Sequence, residues 1–236
     1  MEEQLDVLAF SAHPDDIELA AAGTLIKLIK QGYSVGIIDM TRGEMGTRGT
    51  REIRQKEAQE AKGLLGARVR ECLEIPDAAI EVNRENELRV IGVLRRFRPR
   101  IVFNHYWRAR HRDHIATSEL VTQACYLSGL GKIDTGQQRH RPKRILYHQI
   151  LHDVMPSFLV DISAEVEQKW KVIRAHKSQF HDPQSQEPET ILSAPTFLES
   201  IENRMRYWGS LLGVSHAEPF LTTEPFAIPD LIAAMG

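Results

Sequence analysis

Two short polar segments of the sequence carry residue types that bind metal ions and move protons. The first is His13-Pro14-Asp15-Asp16, which offers one imidazole and two adjacent carboxylates. A turn can point adjacent carboxylates in different directions, so that one ligates a metal ion while the other faces the water bound to it. The structural alternative is that Asp15 or Asp16 only caps a helix starting near Ile17.

The second segment runs from Asn104 to His114 and contains three histidines and an aspartate. Catalytic zinc usually has three protein ligands and an open position for water. Such a site could be assembled from the two segments with the ligands His13, Asp16 and His114. Two histidines and one carboxylate suit zinc but also iron(II), so these residues predict a metal more firmly than they predict which metal.

Three further residues of the second segment have to be weighed beside these ligands. His111 and Asp113 stay free for catalytic or orienting work, since an aspartate that accepts from a histidine ring N–H orients the ring and favours its protonated form. His105 has the weaker claim, because a histidine in such a loop is more often a hydrogen-bonding or surface residue.

Both segments follow an apolar strand and precede a helix. Short apolar runs predict strands at residues 5–12, 35–40 and 101–103. Helical spacing of apolar residues predicts helices at about 17–31, 50–65, 84–97 and 114–128. This alternation predicts an α/β fold with a Rossmann-like, mostly parallel sheet and helices on both faces. Ligands bind at the carboxyl ends of strands in such sheets, which is where both segments fall. No GxGxxG follows the first strand, so a dinucleotide site is not expected.

The last third of the chain gives weaker patterns. Strands are predicted at 144–150 and 157–162, and polar, basic composition predicts a mobile loop at 131–143. Apolar spacing marks two more helices, one around Trp170 and one around Met205, separated by loop composition at 181–190. No repeat or linker is evident, so residues 1–236 are expected to form a single domain.

The bulk composition excludes several classes of protein. The 236 residues are 42% hydrophobic and 26% charged with a formal net charge of −2, which is ordinary for a soluble globular protein and argues against a polyanion binder. The sequence shows no apolar run long enough to span a membrane and no signal-peptide pattern, so a cytoplasmic protein is expected. Cys72 and Cys125 lack CxxC partners and are interpreted as small hydrophobic residues in a reducing compartment.

The pair His13-Pro14-Asp15-Asp16 and His111-Arg112-Asp113-His114 resembles the LmbE-like (PIG-L) N-acetylglucosamine deacetylases over nearly the whole chain. The resemblance is greatest to the bacillithiol biosynthesis branch, which removes acetate from N-acetylglucosaminyl-L-malate. Supporting stretches are Lys30-Gln31-Gly32-Tyr33, Asp39-Met40-Thr41, Ile75-Pro76-Asp77, Ser178-Gln179-Phe180 and Ala217-Glu218-Pro219-Phe220.

The resemblance implies a role for each matching residue. The metal ligands, for zinc or iron(II), are His13, Asp16 and His114. Asp15 matches the general base, and His111 matches the histidine that stabilises the oxyanion or acts as acid, with Asp113 behind it. Arg112 departs from the family, which more often has proline there, and this substitution puts the rigidity of the loop in question.

Arg54 and Arg110 match arginines at the substrate site of the family. A malate group carries two carboxylates, and guanidinium binds carboxylate through two parallel hydrogen bonds. The glycine-rich segment 40–47 could form a mobile rim over a substrate, or its glycines could serve only a turn.

Several alternatives stay open at this stage. Within hydrolysis, the substrate could be another GlcNAc conjugate, or the chain could be an amidase of thiol S-conjugates. A nucleic-acid-binding module built on the arginine-rich segments is disfavoured by the net charge and the lack of stacking motifs. A structural protein with an inert metal site is disfavoured by the spare carboxylate. The expected partner is a small molecule, with neither nucleic acid nor membrane, and family likeness implies a homo-oligomer such as a hexamer.

Overall fold

A computed structural model describes residues 4–148, 154–230 and 232 of the chain. Its strands are β1 Val7–Ser11, β2 Val35–Asp39, β3 Val69–Cys72, β4 Ile101–His105, β5 Arg144–His148, β6 Phe158–Asp161 and β7 Ala217–Leu221. Its α-helices are α1 Asp16–Lys30, α2 Arg51–Leu65, α3 Arg84–Phe97, α4 Arg112–Leu127, α5 Val166–Arg174 and α6 Phe197–Leu212.

The strands form one sheet in the order β3-β2-β1-β4-β5-β7-β6. Strands β1 to β5 pair in parallel, and β7 runs antiparallel to both of its neighbours. One apolar core joins the sheet to α3 and α4, and a second joins the opposite face to α1, α2 and α5. The predicted α/β fold with a mostly parallel sheet and helices on both faces is therefore confirmed.

The central strands are apolar because helices cover both faces of the sheet. Every residue of β1 and β2 is buried, so these strands are continuous apolar runs rather than alternating ones. The lack of a side chain at Gly23 lets α1 pack closely against Ile162, because a Cβ added to Gly23 would lie 2.7 Å from Cδ1 of Ile162. The close neighbour of this helix at Gly23 is therefore the segment that directly follows β6.

Two strands escaped the sequence analysis because charged residues interrupt their apolar pattern. In β3, Arg70 and Glu71 stand at the second and third positions, and the Arg70 side chain is buried between carboxylates. In β7, Glu218 precedes Pro219, and the glutamate is buried against Lys169. The strand predicted at 144–150 is confirmed as far as His148, and residues 149–150 lie outside the described ranges.

The segment 131–143 lies on the side of the sheet where the parallel strands begin, opposite the carboxyl end of β4. Helix α4 runs back from that end, so the segment that follows leads into the amino end of β5. The Arg95 guanidinium donates to the carbonyls of Ser128, Leu130 and Ile133 and fixes the start of the segment against α3. This segment therefore cannot cover the carboxyl ends of the strands.

Among the described helices, none combines the length and the apolar character that crossing a membrane requires.

Candidate active site

The two polar segments meet where the order of the strands reverses. From β1 the chain crosses to β2 and β3 on one side, then returns to β4 and β5 on the other. A crevice between β1 and β4 is the usual ligand site of such sheets. A cavity of about 360 Å³ opens there, lined by His13, Asp15 and Asp16 from the first segment and by His105, His111 and His114 from the second.

Asp15 is held in an unusual backbone conformation. Its φ of 146° lies in a region that residues other than glycine rarely adopt, at a typical cost of about 1–3 kcal/mol. Asp15 occupies the N-cap position of α1, yet its side chain makes no capping hydrogen bond. Asp16 is the first residue of the helix. The capping interpretation of these carboxylates is therefore wrong for Asp15.

The three predicted metal ligands converge. The Asp16 carboxylate lies between two histidines, with Oδ2 3.4 Å from Nδ1 of His13 and Oδ1 3.1 Å from Nε2 of His114. Oδ2 also accepts the backbone N–H of His13 at 2.8 Å, which fixes the carboxylate within its own turn. Asp16 and His13 are buried, and His114 is half-buried at the cavity.

Two further carboxylates hold the other nitrogen of His13. Its Nε2 lies 3.1 Å from Oδ1 of Asp77 and 3.4 Å from Oδ2 of Asp113. Carboxylates placed in this way orient a ligating histidine and raise its basicity. Backbone N–H groups of Met45 and Ala78 hold the two carboxylates in turn. Asp77 was not predicted as a site residue, because β3 was missed and with it the strand end that Asp77 follows.

The groups of the cluster shift one another's pKa values. Burial disfavours ionised Asp16, but His114 and His13 outweigh it and lower the pKa of Asp16 well below its usual range. Burial opposes protonation of His13, yet hydrogen bonds to Asp113, Asp16 and Asp77 raise its pKa well above 6.5. Burial raises the pKa of Asp15 to about 6, while the nearby Arg54 opposes that shift.

These donors fit a divalent cation. Three groups of side chains each bring their ligand atoms within 4.8 Å of one another: His13, His111 and His114; Asp16, His105 and His114; and His13, Asp77 and Asp113. Oδ1 of Asp113 is buried without a hydrogen-bond partner in the described part of the chain. Imidazole and carboxylate together suit zinc and iron(II). Since the groups overlap, the cluster supports a metal site while leaving several ligand sets open.

His111 and Asp113 are not paired as the sequence analysis expected. Nδ1 of His111 accepts the backbone N–H of Asp113 at 3.2 Å, whereas the Asp113 carboxylate turns to His13. Burial, helped by His13 and His114, lowers the pKa of His111. A neutral ring whose Nδ1 accepts carries its proton on Nε2, so His111 presents a neutral donor there.

His105 and His148 form a second, deeper layer. Nε2 of His105 accepts the N–H of Ala12 at 3.0 Å, which occupies that nitrogen and fixes the backbone before His13. The ring of His148 lies 4.6 Å from the ring of His105, and burial lowers the pKa of His148 to about 4. Both are neutral structural neighbours of the cluster. No pattern in the sequence marked His148, which lies at the end of β5.

The arginines of the site differ sharply in exposure. Arg54, predicted at the substrate site, is only 4% exposed and contacts Asp15. Arg108 and Arg110 line the cavity and are exposed, and within residues 4–148 and 154–230 neither guanidinium has a protein partner. Arg48 is buried and donates to the Ser178 carbonyl, which ties the segment just after residues 40–47 to the residues that follow α5.

Comparison with known proteins identifies the family to which this chain belongs. The family model of PIG-L, described as GlcNAc-PI de-N-acetylase, matches residues 8–125, which include both polar segments. The chain belongs to this family of deacetylases.

Three relatives show how the similarity is distributed. The conserved protein TT1542 from Thermus thermophilus, known from a crystal structure, is 40% identical, with a TM-score of 0.87 over 96% of this chain and 98% of that one. Diacetylchitobiose deacetylase of Thermococcus kodakarensis is 28% identical over 90% of this chain and 80% of the relative. Probable N-acetyl-alpha-D-glucosaminyl L-malate deacetylase 2 of Bacillus anthracis is 31% identical over 52% and 61%, respectively.

Proposed function

We propose that this chain is a metal-dependent hydrolase that removes the acetyl group from N-acetylglucosaminyl-L-malate, the deacetylation of bacillithiol biosynthesis. The observation that carries the hydrolytic part is the surplus of buried carboxylates around His13 at the mouth of a cavity. Family membership narrows hydrolysis to N-deacetylation of glucosamine conjugates.

In this proposal the cation is held by His13, Asp16 and His114. Asp77 and Asp113 keep Nε2 of His13 engaged, which leaves Nδ1, on the Asp16 side, to bind. When bound, zinc or iron(II) supplies Lewis acidity, which acidifies water and polarises the acetyl carbonyl.

Asp15 is proposed as the general base. Arg54 occupies its Oδ2, so Oδ1 accepts the proton of the water that attacks the acetyl carbon. As the C–N bond breaks, the same oxygen returns that proton to the amine, and acetate leaves. Asp15 is buried and its carboxylate is held by Arg54, so the base is already oriented when the substrate binds.

His111 is proposed to stabilise the oxyanion through Nε2–H. The ring donates in its neutral form, because Nδ1 is an acceptor for the Asp113 N–H. One such donor typically contributes about 3–4 kcal/mol to the transition state. Asp113 acts on His13 and on the loop geometry rather than on the ring of His111.

The malate part of the proposal depends on Arg108 and Arg110. Their guanidinium groups stand at the cavity without described protein partners, and a malate group offers them two carboxylates. A second substrate has its own support: the relative that acts on diacetylchitobiose matches over 90% of this chain, whereas the probable malate-conjugate deacetylase matches over 52%.

An acetate-release assay separates these candidates. The purified protein is given N-acetylglucosaminyl-L-malate, diacetylchitobiose, free N-acetylglucosamine and a thiol S-conjugate, with and without a chelator. The proposal expects the malate conjugate to have the highest kcat/KM, and it expects chelation to abolish turnover until zinc or iron(II) is returned. A higher kcat/KM on diacetylchitobiose would show that this sugar, and not the malate conjugate, is the preferred substrate. Turnover that resists the chelator would contradict the proposed metal dependence.

Arg110→Met tests the aglycone contact directly. Loss of the guanidinium charge should raise KM for the malate conjugate about tenfold or more, while KM for the neutral sugar stays nearly unchanged. Equal effects on both substrates would remove Arg110 from the aglycone site. Light scattering of the same preparations tests the expected homo-oligomer, with a hexamer as the predicted state.

A further inference from the structure

The guanidinium of Arg54 is bound by the protein itself. Nη2 donates to Oδ2 of Asp15 and to the carbonyl of Pro14, both at 3.1 Å, and Nη1 donates to the carbonyl of Gly43 at 2.9 Å. Two N–H groups remain, the second one of Nη1 and that of Nε, and Nε has no partner in the described part of the chain and is sealed from solvent. Arg54 lines the cavity, but three of its five N–H groups are already bound by the protein and a fourth is sealed from solvent, so at most one is left for an incoming carboxylate.

The contacts of Arg54 bracket the strained peptide before Asp15. The Pro14 carbonyl belongs to the peptide unit whose orientation φ of Asp15 describes, and the carboxylate lies on the other side of the same residue. A conformation such as φ 146° persists only where its surroundings over-determine it. One rigid, planar group that grips both the carbonyl and the carboxylate provides that restraint.

The glycine-rich segment 40–47 is shaped around the same guanidinium. Gly43 has a φ of 66°, and a Cβ there would collide with Nη1 of Arg54. Gly46 approaches as well, because its Cβ would lie 3.0 Å from Nη1. The glycines of this segment thus let its backbone pass close against the guanidinium of Arg54.

We propose that Arg54 is a positioning residue for Asp15 and not a ligand of the substrate aglycone. This inference rests on the proposed function, in which Asp15 is the base, and it revises the substrate role that the family resemblance implies for Arg54. Arg110 supplies the contrast, since it is exposed at the same cavity without a described partner.

Charged and neutral substrates distinguish the two roles. Arg54→Met and Arg110→Met are each assayed on N-acetylglucosaminyl-L-malate and on the neutral methyl glycoside of N-acetylglucosamine. Arg54→Met should lower kcat about 100-fold on both substrates with KM changed less than about threefold, because a displaced base slows every acyl transfer alike. A loss confined to the malate conjugate, or carried by KM, would overturn the proposal.

Conservative replacement gives a second measure. Arg54→Lys keeps the cation but not the fork, so it should recover part of kcat on both substrates and leave KM alone. Thermal melting of each variant shows whether it is folded before kinetics are compared. A lysine variant that recovered activity on only one of the two substrates, or that changed KM rather than kcat, would contradict a positioning role.

A crystal structure of Arg54→Met supplies a readout that needs no turnover. The proposal expects Asp15 to leave positive φ or its carboxylate to swing away from the cavity. An Asp15 that keeps both in the variant would overturn the proposal. If the wild-type protein releases no acetate from any substrate, the proposed function fails, while this structural comparison still decides whether Arg54 holds Asp15.

Discussion

Two buried clusters of charge lie at the first turn of α1 and differ in balance. The closed cluster consists of Arg70 between Glu18 and Asp39, with Nε and Nη2 of the arginine 2.7 and 2.9 Å from the two Asp39 oxygens. The open cluster consists of Asp15, Asp16, Asp77 and Asp113 around His13.

The difference lies in how many of the carboxylates the guanidinium of each cluster reaches, since each cluster keeps one buried carboxylate oxygen, Oε2 of Glu18 or Oδ1 of Asp113, without a partner in the described residues. In the closed cluster one guanidinium reaches both carboxylates, and all three side chains are at most 5% exposed. The open cluster has four carboxylates, its guanidinium from Arg54 reaches only Asp15, and the cluster faces a cavity. The closed cluster, in which Arg70 contacts both carboxylates, is expected to hold the fold together, whereas a surplus of carboxylates at a cavity favours a metal cation. Burial alone therefore does not identify a functional charge.

The largest expected effect divides Asp15 from its neighbour in the open cluster. Asp15→Ala should lower kcat at least about 1000-fold while metal content stays near that of the wild type, because the base is not a ligand. Acetate release and elemental analysis on the same sample measure both. A protein that lost its metal but kept partial turnover would reverse the division between base and ligand.

Removing a ligand should do the opposite to metal content. His13→Ala is expected to lower metal affinity by far more than tenfold, since it removes one donor of three and leaves the oriented carboxylates without their partner. Competition with a chelating dye measures the affinity. Equal occupancy in the variant and the wild type would exclude His13 as a ligand.

The closed cluster should matter for stability. Arg70→Met leaves Glu18 and Asp39 buried without their cation, so the free energy of unfolding should fall by about 3–5 kcal/mol. Urea unfolding measures it. The matched control is Arg89→Met, which breaks an exposed pair with Glu85 and should cost less than about 0.5 kcal/mol. Similar losses in both variants would mean that the closed cluster is not a stabilising element.

Glu18 gives the closed cluster a pH dependence. Burial opposes its ionisation, but Arg70 and His176, whose Nε2 lies 3.2 Å from Oε1 of Glu18, outweigh that and lower the pKa of Glu18 from 4.5 to about 2. A carboxyl group with a depressed folded-state pKa contributes stability that is present above pH 4.5 and is lost as pH falls towards 2. Between pH 5 and 2, metal-free wild type should therefore lose about 3 kcal/mol more than Glu18→Gln. Parallel stability curves for the two proteins would contradict this shift.

The fold was predictable where local chemistry agreed with the final environment. The strands β1, β2 and β4 are apolar because both faces are covered, and the helices between them show clear periodicity. Strands β3 and β7 were not predictable from pattern, because Arg70 and Glu218 acquire their partners only from distant parts of the chain. A buried charge looks like a surface charge until its partner is known.

The site divides in the same way. Sequence alone determined that His13, Asp16 and His114 could share an ion, because two polar segments follow strands whose carboxyl ends lie side by side. Tertiary structure decided which groups face those ligands: it brought Asp77 to His13, turned Asp113 away from His111, and closed Arg54 on Asp15. Residue types and strand order fix which chemistry can meet. Hydrogen-bond directions, set by packing across many residues, fix what each group does there.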